Sequence, residues 1–373
     1  MSGILLLCVV AALLLAFVNG ANDNAKGVAT LIGGRTMGLR PAIALAAAAT
    51  LVGSIAAFWL AGALMARFSG KGIVDTAIVT QMAFAVSIAI AAGVTVLIAT
   101  LIGMPISTTH AIVGSIVGVG FASGGLHLAT PGKVFFLLLL VSPMLAVGVA
   151  AAMYLIARAA RRQFGVGDQT CLCIGQSVEP VSITAGGTMV MQSTGITLSA
   201  GEAEQCKTRY TGNVVGVEAQ RVLDVSHVFS ATALSFARGL NDTPKIAAIL
   251  IAGSVLSNNT AGRGVALGLT GIAILLGGIF AVRRVARTMS YRIADFNDGQ
   301  GFIANVTTAA LVISASWHGM PVSTTHVSCG SLFGIGAVNG RANWPMIAKI
   351  VLAWVITLPV AGVIGYVSWQ VLA

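Results

Sequence analysis

The chain has 373 residues, of which 57% are hydrophobic and 9% charged, with a formal net charge of +10. Soluble domains carry roughly 25% charged residues, so a soluble globular fold is excluded; apolar runs long enough to cross a bilayer core of about 30 Å recur along the whole length. The basic excess sits in short loops between these runs, the pattern of membrane topology signals and not of a nucleic-acid-binding face.

In chain order, the first run is GILLLCVVAALLLAFV. It has no basic start and no small-residue cleavage site, and it leads straight into NGANDNAK, so it reads as a retained helix and not as a signal peptide. Five apolar segments make up the first half, near 3–18, 41–66, 76–102, 106–123 and 133–157. GANDNAK follows the first of them, GMPISTTH heads the fourth, and Arg158, Arg161 and Arg162 close the half.

A stretch of different character follows, near 163–223. CIGQSVEPVSITAGGTMVMQSTGITLSAGEAEQ is rich in Thr, Ser, Val and Gly and partly alternates, which predicts a small β-rich soluble insert. Six of the chain's 11 acidic residues lie between Asp168 and Asp224. Cys171, Cys173 and Cys206 are here without accompanying histidine spacing, so they read as ordinary thiols and not as a metal site. Cys8 and Cys329 sit in apolar runs as small hydrophobes.

The second half again has five apolar segments, near 225–252, 264–282, 300–317, 322–338 and 345–371. GLNDTPK lies inside the first and GMPVSTTH heads the fourth. The halves are copies of one unit. Residues 17–34 and 236–253 match at 9 of 18 positions with an offset of 219, and residues 103–120 and 319–336 match at 11 of 18 with an offset of 216. Internal repeats are how many transporters are built, with the site where the repeats meet. The predicted organisation is a first transmembrane repeat over 1–162, the insert over 163–223 and a second repeat over 224–373. If all five segments cross, the halves are inverted and both termini are outside; if the segment after S-T-T-H is re-entrant, they are parallel. In either case Arg158, Arg161, Arg162, Lys207, Arg209, Arg221, Arg283, Arg284, Arg287 and Arg292 fall on one side, which is therefore cytoplasmic. That location argues against a disulfide in the insert.

Setting aside the insert and the loop-edge acids Asp75, Asp295 and Asp298 leaves Asp23 and Asp242, one in each N-D-x-x-K. Intramembrane ionisable residues mark substrate or ion paths. A purely structural Asp–Lys pair on one helix face does not explain why Gly, Asn and Asp recur together twice. Gly20, Gly239 and Pro244 predict helix breaks at both motifs, whose freed backbone groups would line a cavity. G-M-P-x-S-T-T-H is a helix start, with Pro in the first turn and Ser or Thr as cap. Such a start aims free N–H groups at an anion. Ser107, Thr108, Thr109, Ser323, Thr324 and Thr325 add six hydroxyls suited to a tetrahedral oxyanion. A lone S-T-T would be a cap or a packing patch; its duplication beside the Asp motif favours a site. His110 and His326 lack a metal-ligand set and read as hydrogen-bonded structural residues, with proton handling as the minority reading.

GANDNAKG, GLNDTPKI and the paired GMPxSTTH resemble the inorganic phosphate transporter (PiT) family, whose duplicated signature centres on G-x-N-D. The resemblance covers nearly the whole chain outside the insert. It implies an all-α polytopic membrane fold of two inverted repeats with broken helices and re-entrant hairpins, a homodimer in the cytoplasmic membrane, and no cofactor. It further implies phosphate held between the repeats by Ser107, Thr108, Thr109, Ser323, Thr324 and Thr325 with Asn22 and Asn241, and coupling to H+ or Na+ at Asp23 and Asp242. Relatives in the family carry sulfate. Sodium-coupled members tend to have Asn three residues after the Asp, where this chain has Lys26 and Lys245. An ammonium beside a carboxylate can fill the role of a bound cation, which favours protons, and the same lysines are available to meet the anion.

The expected function is thus phosphate symport, with sulfate transport as the alternative. A membrane-embedded enzyme using Asp and His would not need two equivalent copies of its site. A passive anion channel would want charged rings and no coupling acid. No G-x-x-x-x-G-K-[ST] motif supports ATP drive.

Overall fold

Leu-, Ala- and Val-rich runs in a bilayer fold as helices, because only a helix satisfies every backbone polar group within its own segment. The computed structural model describes residues 3–127, 130–167, 170–182, 189–202, 215–253, 256 and 259–373. Asp168, Cys206, Lys207 and Arg209 fall outside these residues. The first half contains α1 (Gly3–Asp23), a 3-10 turn (Asn24–Gly27), α2 (Ala29–Gly33), α3 (Leu39–Leu60), the short α4 (Gly62–Arg67) and α5 (Thr76–Val79), α6 (Met82–Leu101), α7 (Thr108–Ala122) and α8 (Thr130–Gln163). The second contains α9 (Ala219–Ala252), α10 (Thr260–Phe280), α11 (Arg283–Tyr291), α12 (Asp298–Trp317), α13 (Thr324–Asn339) and α14 (Trp344–Leu372). Among the described residues six helices are long and apolar enough to cross a membrane.

Local sequence sets the helix ends. Ser107 and Ser323 cap α7 and α13, Asn259 caps α10, and Asn297 with Gln300 forms a capping box on α12. Gly340 ends α13 at φ 73°, a left-handed conformation that glycine adopts without steric cost. The short amphipathic α11 was not expected from the apolar pattern.

The helix breaks differ from expectation. The first motif does break: α1 ends at Asp23, and Asn24 turns its side chain to the Ile43 and Gly278 carbonyls at 3.3 and 3.0 Å, opening the 3-10 turn. The second does not, since α9 runs unbroken with Pro244 inside it. A proline removes one donor, which a membrane helix packed among neighbours tolerates. Gly20 and Gly239 lie within helices and serve close crossings instead. A Cβ at Gly20 would sit 2.0 Å from the Ile274 carbonyl of α10, and one at Gly239 would sit 2.0 Å from the Thr50 carbonyl of α3.

These crossings are reciprocal. Numbered by the five apolar segments of each half, the first packs on the second of the other, α1 on α10 and α9 on α3, and the fourth packs on the fifth of the other, with Gly118 of α7 against Gly362 of α14 and Gly334 of α13 against Val147 of α8. The interleaved halves form one compact unit of Met1–Tyr154 and Phe229–Ala373. A second unit, Leu155–Val228, contains a three-stranded antiparallel sheet of order β2-β1-β3, with β1 Thr170–Ser182, β2 Met189–Glu202 and β3 Val215–Glu218. β1 and β2 pair from Thr170↔Glu202 to Ser182↔Met189, with a register shift between Gln176 and Val178.

Candidate functional site

Both N-D-x-x-K motifs are buried, and each meets the S-T-T starts of both halves. Asn22, Asp23 and Lys26 are at most 3% exposed, and Asn241, Asp242 and Lys245 at most 4%. In the first motif Lys26 pairs with Asp23, three residues before it, one helical turn away. Its Nζ also donates to Asn22 Oδ1 at 3.2 Å, to the Ile106 carbonyl at 3.1 Å and to Thr325 Oγ1 at 2.5 Å. In the second motif Lys245 Nζ pairs with Asp242 Oδ1 at 3.4 Å and donates to Thr109 Oγ1 at 2.8 Å and the Val322 carbonyl at 2.7 Å. Each lysine therefore reaches the last hydroxyl of the opposite half's S-T-T and the carbonyl just before its own half's S-T-T. Oxygen atoms receive both ammonium groups, and that of Lys245 also lies over the Phe68 ring, 5.4 Å from its centre.

Two hydroxyls make the same exchange between halves, and the remaining contacts stay within each half. Thr325 donates to the Ile106 carbonyl at 2.8 Å, and Thr109 donates to the Val322 carbonyl at 3.5 Å. Asn22 Nδ2 donates to Thr100 Oγ1 and the Met104 carbonyl, both at 3.0 Å, while its Oδ1 accepts from the Ile106 N–H at 3.2 Å. Asn241 Nδ2 donates to the Val322 carbonyl at 3.4 Å and to Asp242 Oδ1 at 3.0 Å, and its Oδ1 accepts from Ser316 at 3.1 Å. Thr324 donates to Asp242 Oδ2 at 3.2 Å, whereas Thr108 accepts from Asn19 Nδ2 at 2.9 Å. Ser107 and Ser323 spend their oxygens on the caps, accepting from the His110 and His326 N–H groups at 3.0 and 3.2 Å. Ten of the twelve residues expected at the site thus fall into two hydrogen-bonded clusters, Asn22, Asp23, Lys26, Thr108 and Thr325 in one and Asn241, Asp242, Lys245, Thr109 and Thr324 in the other, while Ser107 and Ser323 cap the two helix starts.

The histidines stand beside it. His110 Nδ1 meets Ser107 Oγ at 3.0 Å, and its ring centre lies 4.3 Å from that of His326. The His326 ring stacks on Trp354 at 4.0 Å and lies against the Leu139 backbone, which offers it a hydrogen bond. Among the described residues no group of three His, Cys, Asp or Glu side chains is placed to hold a metal.

Arg238 is a further buried charge, not expected from the apolar runs, in which only the acids stood out. The offset of 219 sets it against Asn19, and that mismatch was the available signal. Its guanidinium is 2% exposed, with Nη2 donating to Asn24 Oδ1 at 3.1 Å and Thr50 Oγ1 at 2.7 Å. Among the described residues the buried side chains of the charged types Asp, Glu, Lys and Arg are Asp23, Lys26, Arg238, Asp242 and Lys245. With every group ionised, three cations face two acids, and the site carries one uncompensated positive charge. Thr100 and Ser316, which brace the two asparagines, were missed as well, as ordinary polar residues of apolar helices.

Comparison with known proteins bears on this arrangement. A profile described as the phosphate transporter family matches residues 19–365. A protein of Rhizobium meliloti, named a probable low-affinity inorganic phosphate transporter, is 30% identical over 95% of this chain and 92% of its own length. A protein of Pyrococcus furiosus named as a phosphate permease is 28% identical over 99% of this chain and 96% of its own. A solved structure described as the sodium-dependent phosphate transporter superposes with a TM-score of 0.75 at 22% identity, covering 99% of this chain and 98% of that one.

Proposed function

The chain belongs to the phosphate transporter family, and from that premise we propose that it is a proton-coupled symporter of inorganic phosphate in the cytoplasmic membrane, built from two inverted repeats. It is a multi-pass membrane transporter and not an enzyme. Phosphate sits between the S-T-T starts of α7 and α13, where helix N–H groups and the positive dipole ends favour an anion. Thr108, Thr109, Thr324 and Thr325 supply hydroxyls, Ser107 and Ser323 hold the helix starts, and Asn22 and Asn241 fix the backbone before them. Asp23 and Asp242 carry the coupling proton. The reciprocal reach of each half into the other's S-T-T supports a site shared by both repeats. The 163–223 insert is soluble and cytoplasmic, and two chains pair as a homodimer.

The observation that carries the coupling is the seat of Lys26. Its Nζ donates to a carboxylate, an amide oxygen, a carbonyl and a hydroxyl, and carboxylate and carbonyl oxygens are what transporters offer a coupling cation. A fixed ammonium in that seat, repeated at Lys245, leaves the proton as the mobile cation. The superposable transporter is described as sodium-dependent, which makes sodium the second reading for the ion; sulfate remains the second reading for the anion. The test is uptake of labelled phosphate into proteoliposomes, with unlabelled sulfate as competitor. Accumulation above the external concentration that excess sulfate leaves unchanged is expected. Equal competition by sulfate would overturn the choice of phosphate, and no uptake would overturn the transporter reading.

A further inference from the structure

Arg238 is the buried charge that the two reciprocal Asp–Lys pairs do not account for. Its repeat counterpart, Asn19, donates to Thr108 Oγ1 and to Asp23 Oδ2 at 3.4 Å, so the first half uses this position for neutral support of its own motif. The second half places a guanidinium there instead. Among the described residues no carboxylate pairs with it: the nearby acids Asp23 and Asp242 are taken by Lys26 and Lys245. Nη2 is satisfied by Asn24 and Thr50, but Nε and Nη1 are buried without any hydrogen-bond partner. A buried cation with unpaired donors is strongly unfavourable unless a counter-charge arrives.

Its position says where that charge arrives. Arg238, Asp242 and Lys245 are spaced i, i+4, i+7 along α9 and form one stripe of the helix. The guanidinium reaches across from α9 to Asn24, the residue after Asp23 in the first half's motif, while its own helix carries the second motif. An arginine presents several fixed donors to a tetrahedral oxyanion, where a lysine offers a point charge.

We propose that Arg238 is a phosphate ligand of this transporter, binding the oxyanion through its unpartnered Nε and Nη1 one helical turn from Asp242. The inference rests on the phosphate reading above and makes the transport site asymmetric, with one half contributing a guanidinium and the other an amide. The alternative is that Arg238 only balances the charge of the two acids.

The test compares wild type, Arg238→Gln and Arg238→Lys in proteoliposomes across a range of labelled phosphate concentrations, with melting in detergent measured with and without inorganic phosphate. The KM for phosphate is expected to rise at least tenfold in Arg238→Gln and severalfold in Arg238→Lys, and phosphate should raise the melting temperature of the wild type alone. Wild-type KM and undiminished phosphate protection in both variants would overturn the inference. If the glutamine variant fails to fold, the lysine variant decides: it keeps the charge and loses the planar fork, so a balancing role predicts wild-type KM and a ligand role a raised one. Wild-type uptake of phosphate is the internal control. Its absence would sink the functional reading and this inference together, whereas its presence with unaltered KM in the variants sinks this inference alone.

Discussion

Replacing Lys26 by Met removes an ammonium that donates to Asp23, Asn22, the Ile106 carbonyl and Thr325. The side chain left behind is a carboxylate 1% exposed. Losing one neutral hydrogen bond in such a place costs about 1–3 kcal/mol. Breaking a buried ion pair from one side costs about 3–5 kcal/mol, because the surviving charge has neither water nor partner. Charge, and not the count of hydrogen bonds, should therefore set the loss. Adding Asp23→Asn neutralises that survivor, so the double variant should recover most of the stability that either single variant loses. The two changes are then strongly non-additive, with a coupling of about 3 kcal/mol, well above the roughly 0.5 kcal/mol scatter of independent sites. Equilibrium unfolding in mixed detergent micelles, run on all four proteins of the cycle, measures it. Additive single-variant losses would mean that Asp23 and Lys26 do not interact as opposite charges.

Asp23→Asn and Asp242→Asn should each fold and lose most concentrative uptake while retaining phosphate-protected melting; normal accumulation by both would move proton coupling elsewhere. Thr325→Val and Thr109→Val each remove a hydroxyl that accepts from a lysine of the other half, and each should weaken phosphate binding by about 1–3 kcal/mol, read as the KM for uptake. Gly20→Val should abolish the folded, monodisperse protein, since its Cβ would meet the Ile274 carbonyl at 2.0 Å; a folded variant would mean that α1 and α10 do not cross there. A thiol placed at the exposed residue 200 by Ala200→Cys should react with an impermeant reagent only from the cytoplasmic side, and labelling from outside would reverse the proposed topology.

How much of this was legible depended on whether the signal was carried by residue type or by packing. The Asp–Lys pairs and the S-T-T starts were legible because charge and hydroxyls are costly in apolar runs and both occur twice at one spacing. That Lys26 crosses to Thr325, and Lys245 to Thr109, was not, because helix periodicity relates neighbours along one helix and says nothing of residues 299 and 136 positions apart. The Ile106 and Val322 carbonyls were invisible for a similar reason: a backbone oxygen has no residue-type signature. Gly20 and Gly239 were misread because glycine serves both a break and a close crossing, and only the neighbouring helix decides which. Pro244 suggested a break that a packed helix absorbs. Arg238 was legible in principle, as the one strongly basic side chain aligned against a neutral amide at the head of the repeated motif.

Whether an ammonium stands in both halves where a metal cation would otherwise bind is tested most directly by phosphate accumulation in proteoliposomes with pH and sodium gradients imposed separately and the membrane potential clamped. An inward proton gradient in sodium-free buffer should drive accumulation of phosphate, and an inward sodium gradient at equal pH should not. Accumulation that requires sodium and ignores the pH gradient would rule out proton coupling and return Lys26 and Lys245 to the role of anion contacts.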